Sequence, residues 1–328
     1  MSGERRTENA ERRTENGERI SITMTTVLIT GGTGLIGSAL AEMLVSKNYR
    51  VIVLSREPRE NNATVSFAQW NPDKLEIDPV AISQADHIIN LAGAGVADKR
   101  WSKKRKEIIV NSRVNGGKTI VKALQELPNH VQTVVSASGE GWYGPDKKGQ
   151  PPFRESDPPY NDFLGNTCVQ WEKSIEPVTG MGKRLAILRT GIVLSNKGGA
   201  FPEFKKPFRG GVAAILGSGI QKISWIHIHD ICRAYVVAIE NKNFSGVYNA
   251  VAPEIVSNKD FMIRLAKARR KPYLPVHVPS FVLKTMLGEM SVEVLKSASV
   301  DSSKLRGSGF TFVYPTLDAA FGELLREE

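Results

Sequence analysis

The chain is expected to fold as a doubly wound α/β protein, a parallel β-sheet covered by helices on both faces, with a smaller C-terminal lobe on the substrate side. Short, uniformly apolar runs alternate with segments of helical periodicity, the pattern of strands buried on both faces. A glycine-rich turn, Gly31 to Gly37, follows the first of those runs directly. The length of 328 residues also exceeds the ~100–200 residues of one ordinary domain. Hydrophobic residues at 41% and charged residues at 24% are ordinary globular usage, which excludes fibrous, disordered and disulfide-stapled classes.

The first segment runs Glu4-Arg5-Arg6-Thr7-Glu8-Asn9-Ala10 and nearly repeats as Glu11-Arg12-Arg13-Thr14-Glu15-Asn16-Gly17. Its acids balance its bases, and its apolar content is too low to offset ordering entropy. Residues 1–23 therefore read as a disordered extension, with Met24 as the functional start. From Thr26 the alternation begins. Val27-Leu28-Ile29-Thr30 is a strand, and Leu35 to Lys47 a helix with Leu40, Leu44 and Val45 on one face. Further strands are Val51 to Leu54, His87 to Leu91, Thr133 to Ser136 and Leu185 to Leu188. Ser102 to Leu124 and Phe163 to Ile175 read as helices, while Lys197 to Gly219, rich in Gly, Pro and Phe, leaves the sheet. Helices around Lys259 to Arg269 and Ser280 to Ser297 form the C-terminal unit, closed by Tyr314-Pro315-Thr316-Leu317.

Gly32-Thr33-Gly34-Leu35-Ile36-Gly37 matches G-x-G-x-x-G, and Gly31, Gly34 and Gly37 give G-x-x-G-x-x-G. The match follows an apolar strand and opens a helix, the context that makes it a dinucleotide-binding turn. Glycine is needed because the backbone must bend tightly and let a pyrophosphate approach the N–H groups of a helix N-terminus. About twenty residues on, a binder of NAD carries an acid for the ribose 2′-hydroxyl. Here Ser55-Arg56 stands instead. A planar guanidinium suits a 2′-phosphate that a carboxylate would repel, so the expected cofactor is NADP.

With 44 Lys and Arg against 34 Asp and Glu, the net charge is +10, which favours anionic partners without specifying them. Cys168 and Cys232 are too few for a disulfide framework and read as reduced thiols. No apolar run reaches the ~18 residues of a membrane span, and no secretory h-region precedes residue 24. A cytoplasmic location is expected.

These residues resemble an extended short-chain dehydrogenase/reductase with a Rossmann domain. Asn90-Leu91-Ala92-Gly93, Ala97-Asp98-Lys99-Arg100-Trp101, Asn111-Ser112-Arg113, Ser136-Ala137-Ser138, Trp171-Glu172, Trp225 to Asp230 and Asn249 to Pro253 are similar to its atypical, NAD-dependent epimerase/dehydratase-like subfamily. This subfamily is also labelled cell-division-inhibitor-like. Leu287-Gly288-Glu289-Met290 and Tyr314 to Leu317 resemble its characteristic C-terminal domain, so the likeness runs from Met24 to the C-terminus. The resemblance implies NADP held by Gly31, Thr33, Gly34, Leu35, Ile36 and Gly37, by Ser55 and Arg56, and by Leu91, Ala92 and Gly93. By position it adds Arg113 and Val193. Residues 24–195 and 222–250 would form the NADP-binding domain, and 196–221 with 251–328 the substrate-side domain.

Ordinary members of this superfamily place a Tyr and a Lys four residues apart on one helix face, where the ammonium lowers the phenol pKa. Among seven tyrosines only Tyr143, with Lys147, has that spacing, and Gly144-Pro145-Asp146 between them forms a turn. Counting back from Glu172, the expected positions hold Leu164 and Cys168. Ser138, after the fifth strand, is placed to polarise a carbonyl, with Glu140 or Tyr143 close in sequence; each also reads as an ordinary loop residue. The catalytic assignment is Ser138 with Tyr143. The function expected is oxidoreduction or epimerisation of a small carbonyl, alcohol or sugar-type substrate; the alternative is a catalytically degenerate NADP-binding regulator or scaffold.

His227, His229 and Asp230 suggest a metal, but no third ligand with sensible spacing is near; the two histidines read as strand residues sharing a face, with Asp230 capping the helix Ile231 to Glu240. No metal is expected. Lys99, Arg100, Lys103, Lys104, Arg105 and Lys106 surround Trp101, and Lys267 to Lys271 adds a basic patch. A solvated helix face explains such runs better than nucleic acid does. Apolar area in the C-terminal lobe is compatible with a pocket or a homodimer.

Overall fold

The computed structural model describes residues 24–326, and within the extension only the backbone of two short strands, Glu11–Arg13 and Arg19–Ser21, which pair antiparallel. The disorder expected for the remainder of residues 1–23 lies outside the described residues. The central sheet is built from β1 (Thr26–Thr30), β2 (Arg50–Ser55), β3 (Val65–Asn71), β4 (Glu76–Ile77), β5 (His87–Asn90), β6 (Thr133–Gly139) and β7 (Arg184–Thr190). A further strand comes from much later in the chain, Gly246–Ala250. Their spatial order is the late strand, then β7, β6, β5, β1, β2, β3 and β4, all parallel except the β3–β4 hairpin. The doubly wound parallel sheet is therefore as expected.

The order reverses between β1 and β5: the chain leaves β1 toward β2, then crosses back to β5. Open α/β sheets bind ligands in the crevice at such a switch point, beyond the carboxyl ends of the strands. Helix α1 (Leu35–Ser46) buries Leu40, Ala41 and Leu44 against one face of the sheet. On the opposite face, α2 (Pro79–Ser83), α3 (Lys103–Glu126) and α4 (Phe163–Ile175) contribute Ile82, Ile120, Leu124 and Ile175 to a second core. Ser102 caps α3 by accepting from the Arg105 N–H, and Asp162 caps α4 by accepting from Gly165.

After β7 the chain forms β8 (Ile192–Leu194), α5 (Ala200–Lys205), β9 (Val212–Leu216), β10 (Lys222–Ile223), β11 (Trp225–His227) and α6 (Ile228–Glu240). The late strand Gly246–Ala250 is β12, followed by β13 (Val256–Ser257), α7 (Asn258–Ala268), β14 (Leu274–Val278), α8 (Ser280–Leu287), α9 (Ser291–Leu295), α10 (Ser303–Gly307) and α11 (Leu317–Leu324). Phe201, Ile215, Trp225, Phe261, Leu317 and Phe321 build a third core that excludes the central sheet. The excursion over 197–219 thus holds α5 and β9, and β9 pairs with β14 in parallel.

Three expectations are corrected. The single helix over Ser280 to Ser297 is two helices, α8 and α9, because Gly288 has φ +63° and ends α8. His227 and His229 do not share a strand face: β11 stops at His227, which caps α6, and His229 is already helical. Asp230 does not cap the helix either. Its carboxylate accepts from the Val313 and Tyr314 N–H groups at 2.9 and 2.8 Å, tying α6 to the C-terminal segment.

Candidate functional site

The turn between β1 and α1 lies at the switch point. Gly31 has φ +67°, and a Cβ there would stand 2.8 Å from the Leu91 carbonyl. At Gly37 a Cβ would meet the Gly31 carbonyl oxygen at 2.3 Å, and at Gly32 the Val53 methyls at 2.7 Å. These three glycines are required by the chain's own packing. Gly34 differs: it is exposed, its φ is −80°, and the only atom near its missing Cβ is the Gly31 oxygen at 3.3 Å. It caps α1 without a side-chain hydrogen bond, and no acid stands in the first turn of that helix. Thr33 at the crest is exposed, with Leu35 and Ile36 half-buried behind it.

The opposite wall is the end of β5. Thr30 Oγ1 donates to Asn90 Oδ1 at 2.8 Å and accepts from the Leu91 and Ala92 N–H groups at 3.1 Å. Asn90 Nδ2 donates onward to Ser136 Oγ at 3.1 Å. This polar bridge crosses β1, β5 and β6 and fixes the width of the crevice. Leu91 and Ala92 are half-buried and Gly93 is exposed, so the three line it. Nothing singled out Thr30 as a fastener in the sequence, since a threonine at a strand end has no pattern of its own.

At the far end, β2 delivers Ser55 and Arg56. Ser55 Oγ accepts from the Glu57 N–H at 3.3 Å, and the exposed Arg56 has no ion-pair or hydrogen-bond partner among the described residues. Arg56 borders a cavity of about 500 Å³ whose other walls include Trp70, Asn71, Lys74 and Asp78. Lys74, on the β3–β4 hairpin, is a cation that sequence reading passed over.

Arg113 and Val193 occupy different settings. Arg113 is buried beside the crevice: its Nη1 donates to the Ala94 and Ile109 carbonyls at 2.9 Å, and its guanidinium stacks 4.9 Å from the Trp171 ring. Burial lowers its pKa to about 10. It braces the turn after Leu91 from behind. Val193 lies on β8, paired with Ile226 of β11 and packed on the sheet core.

Ser138 and Tyr143 are joined, but through a buried network and not across an open cleft. Ser138, 4% exposed, donates to Glu172 Oε1 at 2.7 Å. Glu172 is gripped by Arg189, Nε to Oε1 at 2.8 Å and Nη2 to Oε2 at 2.9 Å. Arg189 Nη1 then donates to the Tyr143 hydroxyl at 3.1 Å, which itself donates to Asn249 Oδ1 at 2.6 Å. Tyr143 is 0% exposed. Burial raises its pKa to about 12 against the opposing charge of Arg189. Its hydroxyl does not reach the crevice in this arrangement, which a sequence position beside Ser138 could not reveal.

At the positions expected for the usual pair stand a half-buried leucine and a buried cysteine. Cys168 is buried, and burial, reinforced by the charge of Glu172, pushes its thiol up to about 11. Leu164 packs beside Gly141. His227 Nε2 meets Glu323 Oε2 at 2.9 Å, and burial lowers its pKa despite that carboxylate. Among the described residues no group of three potential ligands could hold a metal. In the basic run, Trp101 Nε1 donates to the Val96 carbonyl at 2.9 Å, and Lys106 pairs with Glu289 of the C-terminal unit. Both residues are therefore engaged within the protein. No described helix is long and apolar enough to cross a membrane.

Comparison with known proteins agrees with this architecture. Residues 27–167 match the NAD dependent epimerase/dehydratase family, and residues 278–324 match a domain of unknown function, DUF1731. An epimerase family protein of Staphylococcus haemolyticus is 34% identical over 303 residues, 92% of this chain and 99% of that protein. One from Mycobacterium tuberculosis is 34% identical over 297 residues, 90% of this chain and 96% of that protein. Among solved structures, the human epimerase family protein SDR39U1 with NADPH superposes with TM-score 0.83 at 28% identity, covering 93% of this chain and all (100%) of that one. A Bacillus cereus UDP-glucuronic acid 4-epimerase with NAD, at 19% identity and TM-score 0.75 over 92% of this chain and 99% of that one, shares the fold. The chain belongs to the NAD-dependent epimerase/dehydratase family, in the form that carries the DUF1731 C-terminal domain.

Proposed function

We propose that the protein binds NADP(H) at the β1–β5 switch point and serves hydride transfer to or from a small carbonyl, alcohol or sugar-type compound. The observation that carries this reading is Gly34, an exposed cap at which a Cβ would meet only the Gly31 carbonyl oxygen, at 3.3 Å, and whose lack of a side chain leaves the α1 N-terminus open to an anion. The backbone of Gly31, Thr33, Gly34, Leu35, Ile36 and Gly37 would take the pyrophosphate. Ser55 and Arg56 would take the 2′-phosphate, Leu91, Ala92 and Gly93 the middle of the dinucleotide, with Val193 toward its nicotinamide end and Arg113 bracing the wall. When bound, the cofactor supplies the hydride; the protein orients it and excludes competing reactions. NADP over NAD rests on Arg56 and its lack of a partner among the described residues. The NADPH of the human relative agrees with it, whereas the more distant epimerases carry NAD.

Of the two residues assigned to chemistry, Ser138 stands nearer to it than Tyr143. It is the next-to-last residue of β6, at the carboxyl edge of the sheet, while the burial of Tyr143 supports a place in the Arg189 network. Calorimetry on Arg56→Glu tests the cofactor assignment. NADPH affinity is expected to fall at least about tenfold relative to NADH, a change of about 1.4 kcal/mol; an unchanged preference would overturn it. A second reading, an NADP-binding regulator without turnover, is favoured by Leu164 and the buried Cys168 in place of the usual acid/base pair. Tight NADPH binding with no oxidation by a broad carbonyl panel would select that reading.

A further inference from the structure

We propose that the C-terminal unit carries a docking face for an anionic lipid bilayer, formed by the β9–β14 ribbon and α8. This role does not depend on the cofactor reading.

The register of the ribbon defines the face. β9 and β14 run parallel, with Val212 opposite Leu274, Ala214 opposite Val276 and Leu216 opposite Val278. Side chains alternate along a strand and partners in register share a side, so these six residues form one face. The other face carries Ala213 and Ile215, both buried, and Ile215 packs in the third core with Phe261 of α7. The six-residue face is wholly apolar, yet none of its members belongs to any core of the described residues. Leu274 is 64% exposed and Val276 38%. Pro279 alone separates β14 from α8, which adds Phe281 at 70% and Met286 at 65% exposure. Only Leu283 of that helix is buried. Large apolar side chains this open, concentrated on one short stretch of chain, mark a contact surface.

Charge decides what that surface meets. Residues 204–229 and 261–288, which hold β9, β14 and α8, contain no Asp or Glu but four and six Lys or Arg. Arg209 precedes β9, Arg270 and Lys271 precede β14, and Lys284 stands between Phe281 and Met286 in α8. All four cations are exposed and have no carboxylate partner among the described residues. A two-fold dimer through this face would set each copy's cations against the other's. Nucleic acid would engage the cations but not the aliphatic ribbon face. A bilayer with anionic headgroups satisfies both: the apolar side chains enter the boundary of the acyl chains while the cations stay among the headgroups. The protein would lie on such a surface and not cross it.

Sedimentation of the full chain with lipid vesicles tests this. The protein is expected to stay in solution with phosphatidylcholine alone and to pellet when about 30% phosphatidylglycerol is included, less so as salt is raised. Phe281→Ser combined with Met286→Ser is expected to weaken binding at least about tenfold. Arg270→Glu combined with Lys271→Glu should abolish it. Both double variants should melt close to the parent, because all four side chains are exposed. The same charge change at Lys148 and Lys242, exposed elsewhere, should leave binding in place. No sedimentation with either vesicle, binding that survives both double variants, or equal loss in the Lys148 and Lys242 control overturns the proposal. So does a dimer on gel filtration that Phe281→Ser dissociates, which would assign the face to a second copy.

Discussion

Single residues separate what the fold needs from what a ligand needs. Gly31 combines a positive φ with a Cβ position 2.8 Å from the Leu91 carbonyl, so Gly31→Ala should destabilise the protein whether or not cofactor is present. Gly34 has an ordinary φ, and its Cβ would meet only the Gly31 oxygen, at 3.3 Å, so Gly34→Val should destabilise the protein less than Gly31→Ala does, while NADPH affinity drops by at least about tenfold. Equal affinity in parent and Gly34→Val would show that the turn does not hold the dinucleotide. Tyr143→Phe is expected to keep turnover and to cost about 1–3 kcal/mol of stability, because Arg189 and Asn249 lose a buried partner. Abolished turnover with NADPH affinity preserved would return Tyr143 to the chemistry. The glycines were legible in the sequence because glycine itself marks special backbone. Tyr143 was not, because a tyrosine reads alike as an exposed acid/base or as a core ring with a bonded tip.

At the scale of elements, the Glu172–Arg189 pair fastens α4 to β7, and through Ser138 and Tyr143 it reaches β6 and the loop beyond. Both side chains are largely buried, and removing one partner of such a pair typically costs about 3–5 kcal/mol. Arg189→Met should therefore lower stability in denaturant melts by that order, with little change in NADPH affinity; a melt matching the parent would contradict it. The uniformly apolar strands β1, β2, β5, β6 and β7 were legible because burial on both faces writes a continuous run. β3 was not: Val65-Ser66-Phe67-Ala68-Gln69-Trp70-Asn71 mixes polar and apolar residues, as a half-buried strand near the sheet edge does. Arg189 escaped notice for a related reason, since an arginine at the end of an apolar strand shows no partner until Glu172 is brought beside it from another element.

The whole molecule joins the sheet domain to a C-terminal unit with its own core, and the seam carries the titrating groups. Glu140 is raised in the folded protein from 4.5 to about 8 by burial. The folded state then holds a proton that the unfolded chain releases, so this group's contribution is fully present below the unfolded value and is lost as pH rises through about 8. Melting temperatures of parent and Glu140→Gln compared across pH 5 to 9 should therefore shift in the variant's favour as pH rises, levelling above about 8; a pH-independent difference would contradict the shift. The helices after Pro253 were legible from the change of pattern there, but Lys296 was not, because only the folded chain sets it against α4. The most direct test of the central claim is titration calorimetry of the purified protein with NADPH and NADH at fixed salt. The expected result is saturable heat with NADPH and weaker binding of NADH; no heat with either oxidised or reduced NADP would contradict the assignment of the crevice.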